Sequence, residues 1–369
     1  MKVNTIEKVA NELLDILPSK TKSILVARFG LDGGKPKTLE AIGKTLGITR
    51  ERVRQIEVAS FKKLKKTSKS EDVAGVFEQL EIIMEGQGSF LGIKGFEQNI
   101  YKEKMSLLQE NQLKVILNSH QRFHYKKGNG KFGGLWYFKD VEKSVEKIGS
   151  AYESILDYFK SSEKLVGLDK FMKIVLRDDF FATDERNLLF EDEYSKNRLE
   201  TILRTGKLTG VNLLNQWGLK SWKLIRPKGV RERAYLVFQK HQKPLHFREI
   251  TELINKHFDL KRPAIPETVC NAIIHFDEFI AVEYGIYALV EWKLFDEEIK
   301  TEIVSFLEGE AENNVSKQGA FVKIDRIAEY VAEKQDKDIE TFVIQANLFD
   351  KELFSRRGDE YMLKVRDKK

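Results

Sequence analysis

Residues 38–66, TLEAIGKTLGITRERVRQIEVASFKKLKK, carry the strongest structural pattern in this chain. Thr38 can cap a first helix that runs to about Leu46, because a threonine hydroxyl accepts a hydrogen bond from a free backbone N–H at a helix start. The apolar residues of this helix recur at helical spacing and fall on one face: Leu39, Ile42 and Leu46. The pattern predicts a short helix with one buried side.

A tight turn and a second helix are predicted to follow. Gly47 permits the left-handed backbone conformation that such a turn needs, and Thr49 can cap the next helix. Gly43 lies in the middle of the first helix, where glycine costs about 1 kcal/mol relative to alanine, so we expect a close crossing there. The inner side of the second helix holds Val53, Ile56 and Phe61. These features together predict a helix-turn-helix, and the alternative is an arbitrary helical hairpin.

The outward face of the second helix carries Arg50, Glu51, Arg54 and Gln55. Such a helix enters the major groove of DNA with its N-terminus first. Arginine can pair with guanine, glutamate can accept from the cytosine amino group, and glutamine can pair with adenine. Glu51 favours base reading, since a carboxylate repels phosphates. The lysines that follow can contact phosphates or simply face solvent: Lys62, Lys63, Lys65 and Lys66.

Three motifs give the chain a resemblance to a known family. They are RFGLDGG at 28–34, TLEAIGKTLGITRERVRQIE at 38–57 and the KKLKK tail at 62–66. Together they resemble region 4 of housekeeping-type bacterial sigma factors, over about residues 13–66.

The resemblance implies roles for individual residues. Arg50, Glu51 and Gln55 would contact bases of a −35-like promoter element in double-stranded DNA. Contacts to the DNA backbone or flanking groups would come from Arg28, Thr38, Leu39, Glu40, Thr49, Arg52, Arg54, Lys62 and Lys63. The helix ILVARFG at 24–30 would help to hold the β flap of core RNA polymerase.

Two features depart from the family pattern. Ala59 stands where the family usually has lysine, so we expect one phosphate or activator contact to be missing. Nothing in this sequence precedes the domain, so we expect the promoter-melting regions of a complete sigma factor to be absent. The resemblance therefore implies a promoter-binding module rather than a complete sigma factor.

Composition limits the remaining possibilities. The chain has 369 residues, a mean hydropathy of −0.40 and a net charge of +6, which predict a soluble protein of two to five small domains. Residues 1–70 hold 16 Lys and Arg against 7 Asp and Glu, whereas the rest of the chain is net negative. This excess predicts a polyanion partner for the first domain. Cys270 is the single cysteine, which fits a reducing cytoplasm, and we expect no membrane span, metal site or cofactor.

Four segments after residue 70 follow one plan, with helical patterns first and then a hairpin rich in aromatic residues. The predicted hairpins lie at 122–138, 208–222, 279–292 and 353–365. We therefore predict a mainly α fold with small β-hairpins, in which the helix-turn-helix precedes an array of winged-helix units. The predicted domains are 1–70, 71–145, 146–228, 229–293 and 294–369. The alternative is an irregular α+β domain with accidental internal similarity.

The third unit shows its pattern most clearly. The segments that show this pattern are KPLHFREITELI at 243–254, PETVCNAI at 266–273 and GIYALVEW at 285–292. This unit resembles the HARE-type winged helix found in the δ subunit of RNA polymerase. Its third helix has no Lys or Arg, which favours protein contact over DNA contact. Lys261 and Arg262 in the preceding loop leave DNA binding open.

No segment predicts catalysis. GNGKFGG at 128–134 lacks the Gly-Lys-Ser/Thr ending of a phosphate-binding loop. The runs of acidic residues in FEDEYSKNRLE at 190–200 and FDEEIK at 295–300 are typical of solvent-exposed helix faces. We therefore expect no enzyme. The leading hypothesis is a cytoplasmic, sequence-specific transcription factor that acts with RNA polymerase, with other regulators bound through the winged helices. The alternative hypothesis is a scaffold associated with polymerase or the nucleoid that reads little sequence.

Overall fold

The computed structural model describes residues 3–67, 70–100, 105–177, 179–313 and 321–364. Within these residues the chain is mainly helical, with four small antiparallel sheets, so the predicted fold class is confirmed. The chain divides into two compact units, Met1–Ile225 and Arg226–Lys369. The five domain boundaries that we expect from the sequence stay a prediction.

The first unit begins with four helices, followed by two groups of helices and strands. The four helices are α1 (Val3–Asp15), α2 (Ser19–Phe29), α3 (Leu39–Leu46) and α4 (Arg50–Lys66). The first group contains α5 (Glu71–Gly86), β1 (Phe90–Gly92), α6 (Ile93–Ile100), α7 (Leu107–Asn118), β2 (His124–Lys126) and β3 (Leu135–Tyr137). The second contains α8 (Glu142–Ser162), β4 (Val166–Gly167), α9 (Leu168–Val175), α10 (Thr183–Phe190), α11 (Ser195–Thr205), β5 (Thr209–Val211) and β6 (Gln216–Leu219).

The second unit contains two more groups of the same kind. The third group contains α12 (Val230–His241), β7 (Leu245–His246), α13 (Phe247–His257), α14 (Pro266–Ile274), β8 (Phe279–Glu283) and β9 (Ile286–Leu289). The fourth contains α15 (Glu297–Asn313), β10 (Val322–Lys323), α16 (Ile324–Gln335), α17 (Thr341–Asn347), β11 (Phe354–Arg357) and β12 (Glu360–Leu363). Pro266 opens α14 at a first-turn position, where its missing N–H costs no helix hydrogen bond.

All four sheets share one topology. In each, a short strand that precedes the second helix pairs with the last strand of the hairpin, so the orders are β1-β3-β2, β4-β6-β5, β7-β9-β8 and β10-β12-β11. The four predicted hairpins are confirmed by the antiparallel pairs β2–β3, β5–β6, β8–β9 and β11–β12. The sequence does not predict the short first strands, because two or three residues are too few to show an alternating pattern.

Helix α1 connects the first four helices to the next group. Its apolar face is fully buried and joins the hydrophobic core formed by α5 and α7. The residues on this face are Ile6, Val9, Ala10 and Leu13, and those that they meet include Leu80, Leu113 and Ile116. The helix-turn-helix and the first sheet-containing group are therefore held together by a shared core.

Candidate nucleic-acid interface

Hydrogen bonds cap the N-termini of both α3 and α4. The Thr38 hydroxyl accepts from the backbone N–H of Ala41 at 3.1 Å, and the Thr49 hydroxyl accepts from that of Arg52 at 3.1 Å. Gly47 ends α3 with a φ of 65°, in the left-handed region. These contacts confirm the predicted caps and turn, and they orient α4 with its N-terminus free.

Gly43 allows the close crossing that its position predicts. A Cβ atom at Gly43 would lie 2.6 Å from the carbonyl oxygen of Ile48, so no other residue fits without a shift of the turn. Below it, Ile42 and Val53 pack together with Ile24 in a small core. Leu46 is an exception to the predicted inner face, since it is 39% exposed in the last turn of α3, where the chain reverses at Gly47.

A stripe of side chains runs along the outward side of α4. Its members are four residues apart, so each is a neighbour of the next, and at 3.6 residues per turn the stripe turns by about 160° around the helix from the first member to the last: Arg50, Arg54, Val58, Lys62 and Lys66. All five are exposed. Glu51 and Gln55 are exposed beside the first two members. The structure thus brings the three predicted base-contacting residues, Arg50, Glu51 and Gln55, to the N-terminal half of the helix on its exposed side.

Two of these side chains are held by neighbouring arginines. The Arg54 guanidinium donates two hydrogen bonds to the Glu51 carboxylate, at 2.8 Å and 2.7 Å. The Arg54 hydrogen bond holds the pKa of Glu51 below its usual range, so the carboxylate is an acceptor at neutral pH. Arg52 donates to the amide oxygen of Gln55 at 3.2 Å.

Arg28 makes hydrogen bonds inside the domain rather than pointing freely into solvent. Its Nε atom lies 3.3 Å from a carboxylate oxygen of Glu57 on α4, and one Nη atom donates to the Lys37 carbonyl at 3.0 Å. The side chain is 33% exposed. It joins α2, α4 and the loop before α3, so a contact between Arg28 and DNA stays a prediction.

Thr49 and Arg52 lie at the N-terminus of α4, and the other predicted backbone-contacting residues lie at two further places. Thr38 and Glu40 are exposed at the start of α3, and Leu39 beside them is half-buried. Lys62 and Lys63 are exposed in the C-terminal half of α4, where the Lys63 ammonium donates to the Ile16 carbonyl at 3.1 Å. The predicted contacts therefore flank the base-contacting residues of α4 on both sides.

Sequence reasoning overlooked Val58, which is 54% exposed in the middle of the stripe. The spacing of four residues from Arg50 to Lys66 is the signal that could have found it. It also overlooked the bond from Arg28 to Glu57, because 29 residues separate the partners and no local pattern indicates their contact.

Metal-ligand clusters and membrane-spanning helices are both missing from the described part of the chain. No group of three or more His, Cys, Asp or Glu side chains is placed to hold a metal ion there. None of the helices in the same residues is long and apolar enough to cross a membrane.

Comparisons with known proteins bear on this interface. The sigma-70 region 4 family matches residues 13–66. The RNA polymerase sigma factor SigA of Bacillus sp is 43% identical over 67 residues, which are 18% of this chain and 18% of the relative. No solved structure matches the chain. Residues 13–66 are therefore a sigma region 4-like helix-turn-helix.

Proposed function

We propose that this protein is a sequence-specific DNA-binding transcription factor that reads a −35-like promoter element and acts with bacterial RNA polymerase. The observation that carries the proposal is the exposed set of Arg50, Glu51 and Gln55 on the N-terminal half of α4. These residue types supply a donor pair for guanine, an acceptor for the cytosine amino group and an amide for adenine.

Base reading requires an exchange of partners. Glu51 is bonded to Arg54 and Gln55 to Arg52, and both pairs are exposed at the surface. When α4 enters the groove, the two arginines can turn to phosphates and release the carboxylate and amide to the base edges. Exposed ion pairs contribute little to stability, so this exchange costs little.

Contact with polymerase is proposed through the helix that contains ILVARFG. Ile24 and Leu25 are buried within the domain. Val26 is half-buried against the core that contains Leu25, which leaves part of this apolar side chain open to a partner. The proposal is supported by the relative, which is a sigma factor of RNA polymerase.

Selection of bound duplexes from a random pool tests the proposal. The full chain is expected to enrich one short sequence motif, and an Arg50→Ala variant is expected to lose preference at one position of that motif. Enrichment of no motif would show that α4 does not read sequence.

A scaffold role is a second candidate, favoured by the surface of the third group. Helix α14 contains no Lys or Arg and exposes Ile274, while Ile265 precedes it at 55% exposure. Tyr284 is 87% exposed in the hairpin turn. Apolar exposed side chains without cations suit a protein partner better than DNA. Capture of core polymerase after nuclease treatment, together with no enriched motif, would favour the scaffold.

A further inference from the structure

A groove runs along the C-terminal half of α4, between this helix and the group that contains α7 and β2. It has a volume of about 930 Å³. One wall is formed by Arg54, Lys62, Lys65 and Lys66 of α4, and the other includes Lys114 and Tyr125. Glu57 is the one carboxylate among the described residues that line it, and it is bonded to Arg28. Apolar side chains form the floor between these charges, among them Phe61, Phe123 and Trp136. The groove is therefore cationic along its α4 wall and aromatic below it.

The walls are fixed relative to each other. The apolar face of α1 shares a core with α5 and α7, as described above. Across the groove, the Gln121 amide donates to the Lys65 carbonyl at 2.9 Å.

The charges of the groove are poorly neutralised within the protein. Lys65 is half-buried and forms no ion pair within the described residues. Lys62 and Lys66 are exposed and form no ion pair within the described residues. Lys114 is paired with Glu110 on its own helix at 2.6 Å. An anion in the groove would be attracted by at least three cations.

The length of α4 indicates which anion this is. From Arg50 to Lys66 the helix extends about 24 Å, at 1.5 Å per residue. When α4 enters N-terminus first, a groove about 8.5 Å deep holds only its first turns, so the C-terminal half of the helix lies outside it. The stripe from Arg50 to Lys66 then leads from the base edges to the phosphates beside them.

We propose that this groove binds the phosphate backbone of the duplex next to the base-contacting site, so that α7 and β2 extend the DNA footprint on one side. The inference rests on the proposed function, because it takes α4 as the helix that enters the DNA. Lysine ammonium groups are donors that phosphates accept, and Tyr125, a residue that is 49% exposed, lies beside Lys114 on the same wall. This extends DNA contact to a part of the chain that has no net positive charge in its sequence.

The test compares the salt dependence of duplex binding by the full chain and by a double variant, Lys66→Gln with Lys114→Gln. The matched control is Lys143→Gln with Lys170→Gln, at exposed lysines of α8 and α9 that lie away from the groove. Each lost phosphate contact reduces the slope of log K against log salt by about 0.9, so the groove variant should lose about 2 from the magnitude of its slope. The control should keep the slope of the unmodified chain.

Hydroxyl-radical footprinting gives a second readout on the same proteins. The unmodified chain should protect backbone on one side beyond the base-contacting region, and the groove variant should lose this protection while keeping its unfolding midpoint. Equal slopes and equal footprints would overturn the inference. Unchanged DNA binding with weakened binding of an acidic amphipathic peptide would also overturn it and would assign the groove to a protein partner.

The experiments distinguish a failure of phosphate binding in the groove from a failure of sequence reading by α4. Phosphate contacts do not depend on sequence, so the slope comparison works on any duplex. If no motif is enriched from a random pool but the slope falls as expected, sequence reading fails and the groove still binds DNA. If a motif is enriched and the slopes are equal, the protein reads sequence and the groove does not bind DNA.

Discussion

Helix α4 and helix α14 hold equivalent places in their local structures but present opposite surfaces. Each is the last of three helices that pack on one another: α2, α3 and α4 in one case, and α12, α13 and α14 in the other. Both bury a valine side chain, Val53 in α4 and Val269 in α14. Outward, α4 has a basic stripe, whereas α14 has no Lys or Arg. The comparison shows that the fold requires only the inner face, so the outer face can be adapted to different partners.

Truncation of a buried side chain should have the largest effect on stability, both beside α4 and in α14. Ile42→Ala, at a side chain that is 3% exposed, should lower the free energy of unfolding by about 2–5 kcal/mol and weaken binding to the selected duplex. Ile273→Ala in α14 should destabilise by a similar amount and leave duplex binding intact. Urea unfolding and a binding titration check both expectations. A loss of specific binding in the Ile273 variant would contradict the separation of roles.

Arg50→Ala should have the next largest effect. Loss of a bidentate base contact should weaken binding to the selected duplex by about 1–3 kcal/mol. Asn271→Ala on the exposed face of α14 is the matched control and should change nothing in the same assay. An equal loss of affinity for every duplex would show that Arg50 contacts phosphates rather than bases.

The N-terminal caps of α4 and α14 should differ by a smaller amount in their contribution to stability. Thr49→Ala removes the bond to the Arg52 N–H and should cost about 1 kcal/mol of stability, whereas Thr49→Ser should retain it. Helix α14 begins after Ile265, whose side chain makes no cap bond, so Ile265→Ala should remove no such bond. Thermal unfolding of the three variants measures the difference. Equal losses for Thr49→Ala and Thr49→Ser would show that the hydroxyl bond does not stabilise α4.

The smallest effect should be seen in the titration of Glu51. The Arg54 hydrogen bond lowers the pKa of its carboxyl below the ordinary 4.5, so the pair stabilises the folded chain above the ordinary pKa. This contribution disappears as the pH falls through the lowered value. Carboxyl NMR should detect a lowered pKa in the unmodified chain and a rise in an Arg54→Gln variant. An unchanged pKa in that variant would mean that the pair is not formed in solution.

Features whose interacting residues lie close together in sequence were predicted, and features whose interacting residues lie far apart were missed. The caps at Thr38 and Thr49, the turn at Gly47 and the four hairpins depend on residues close in sequence, and the pattern predicts them. The first strand of each sheet pairs with a strand tens of residues later, and its own few residues contain no period. Sequence reasoning therefore predicted the local elements and missed the pairings that complete the sheets.

The sequence by itself determined the helix-turn-helix and the residues on its outward face, because a helical period and two capped helix ends are local properties of 29 residues. Only the tertiary structure decided what lies beside that face. The contact of α1 with α5 and α7 and the bond from Gln121 to Lys65 join distant residues, and they place Lys114 and Tyr125 across a groove from α4. Hydrophobic burial is non-directional, so no local pattern specifies which distant surface an apolar face will cover.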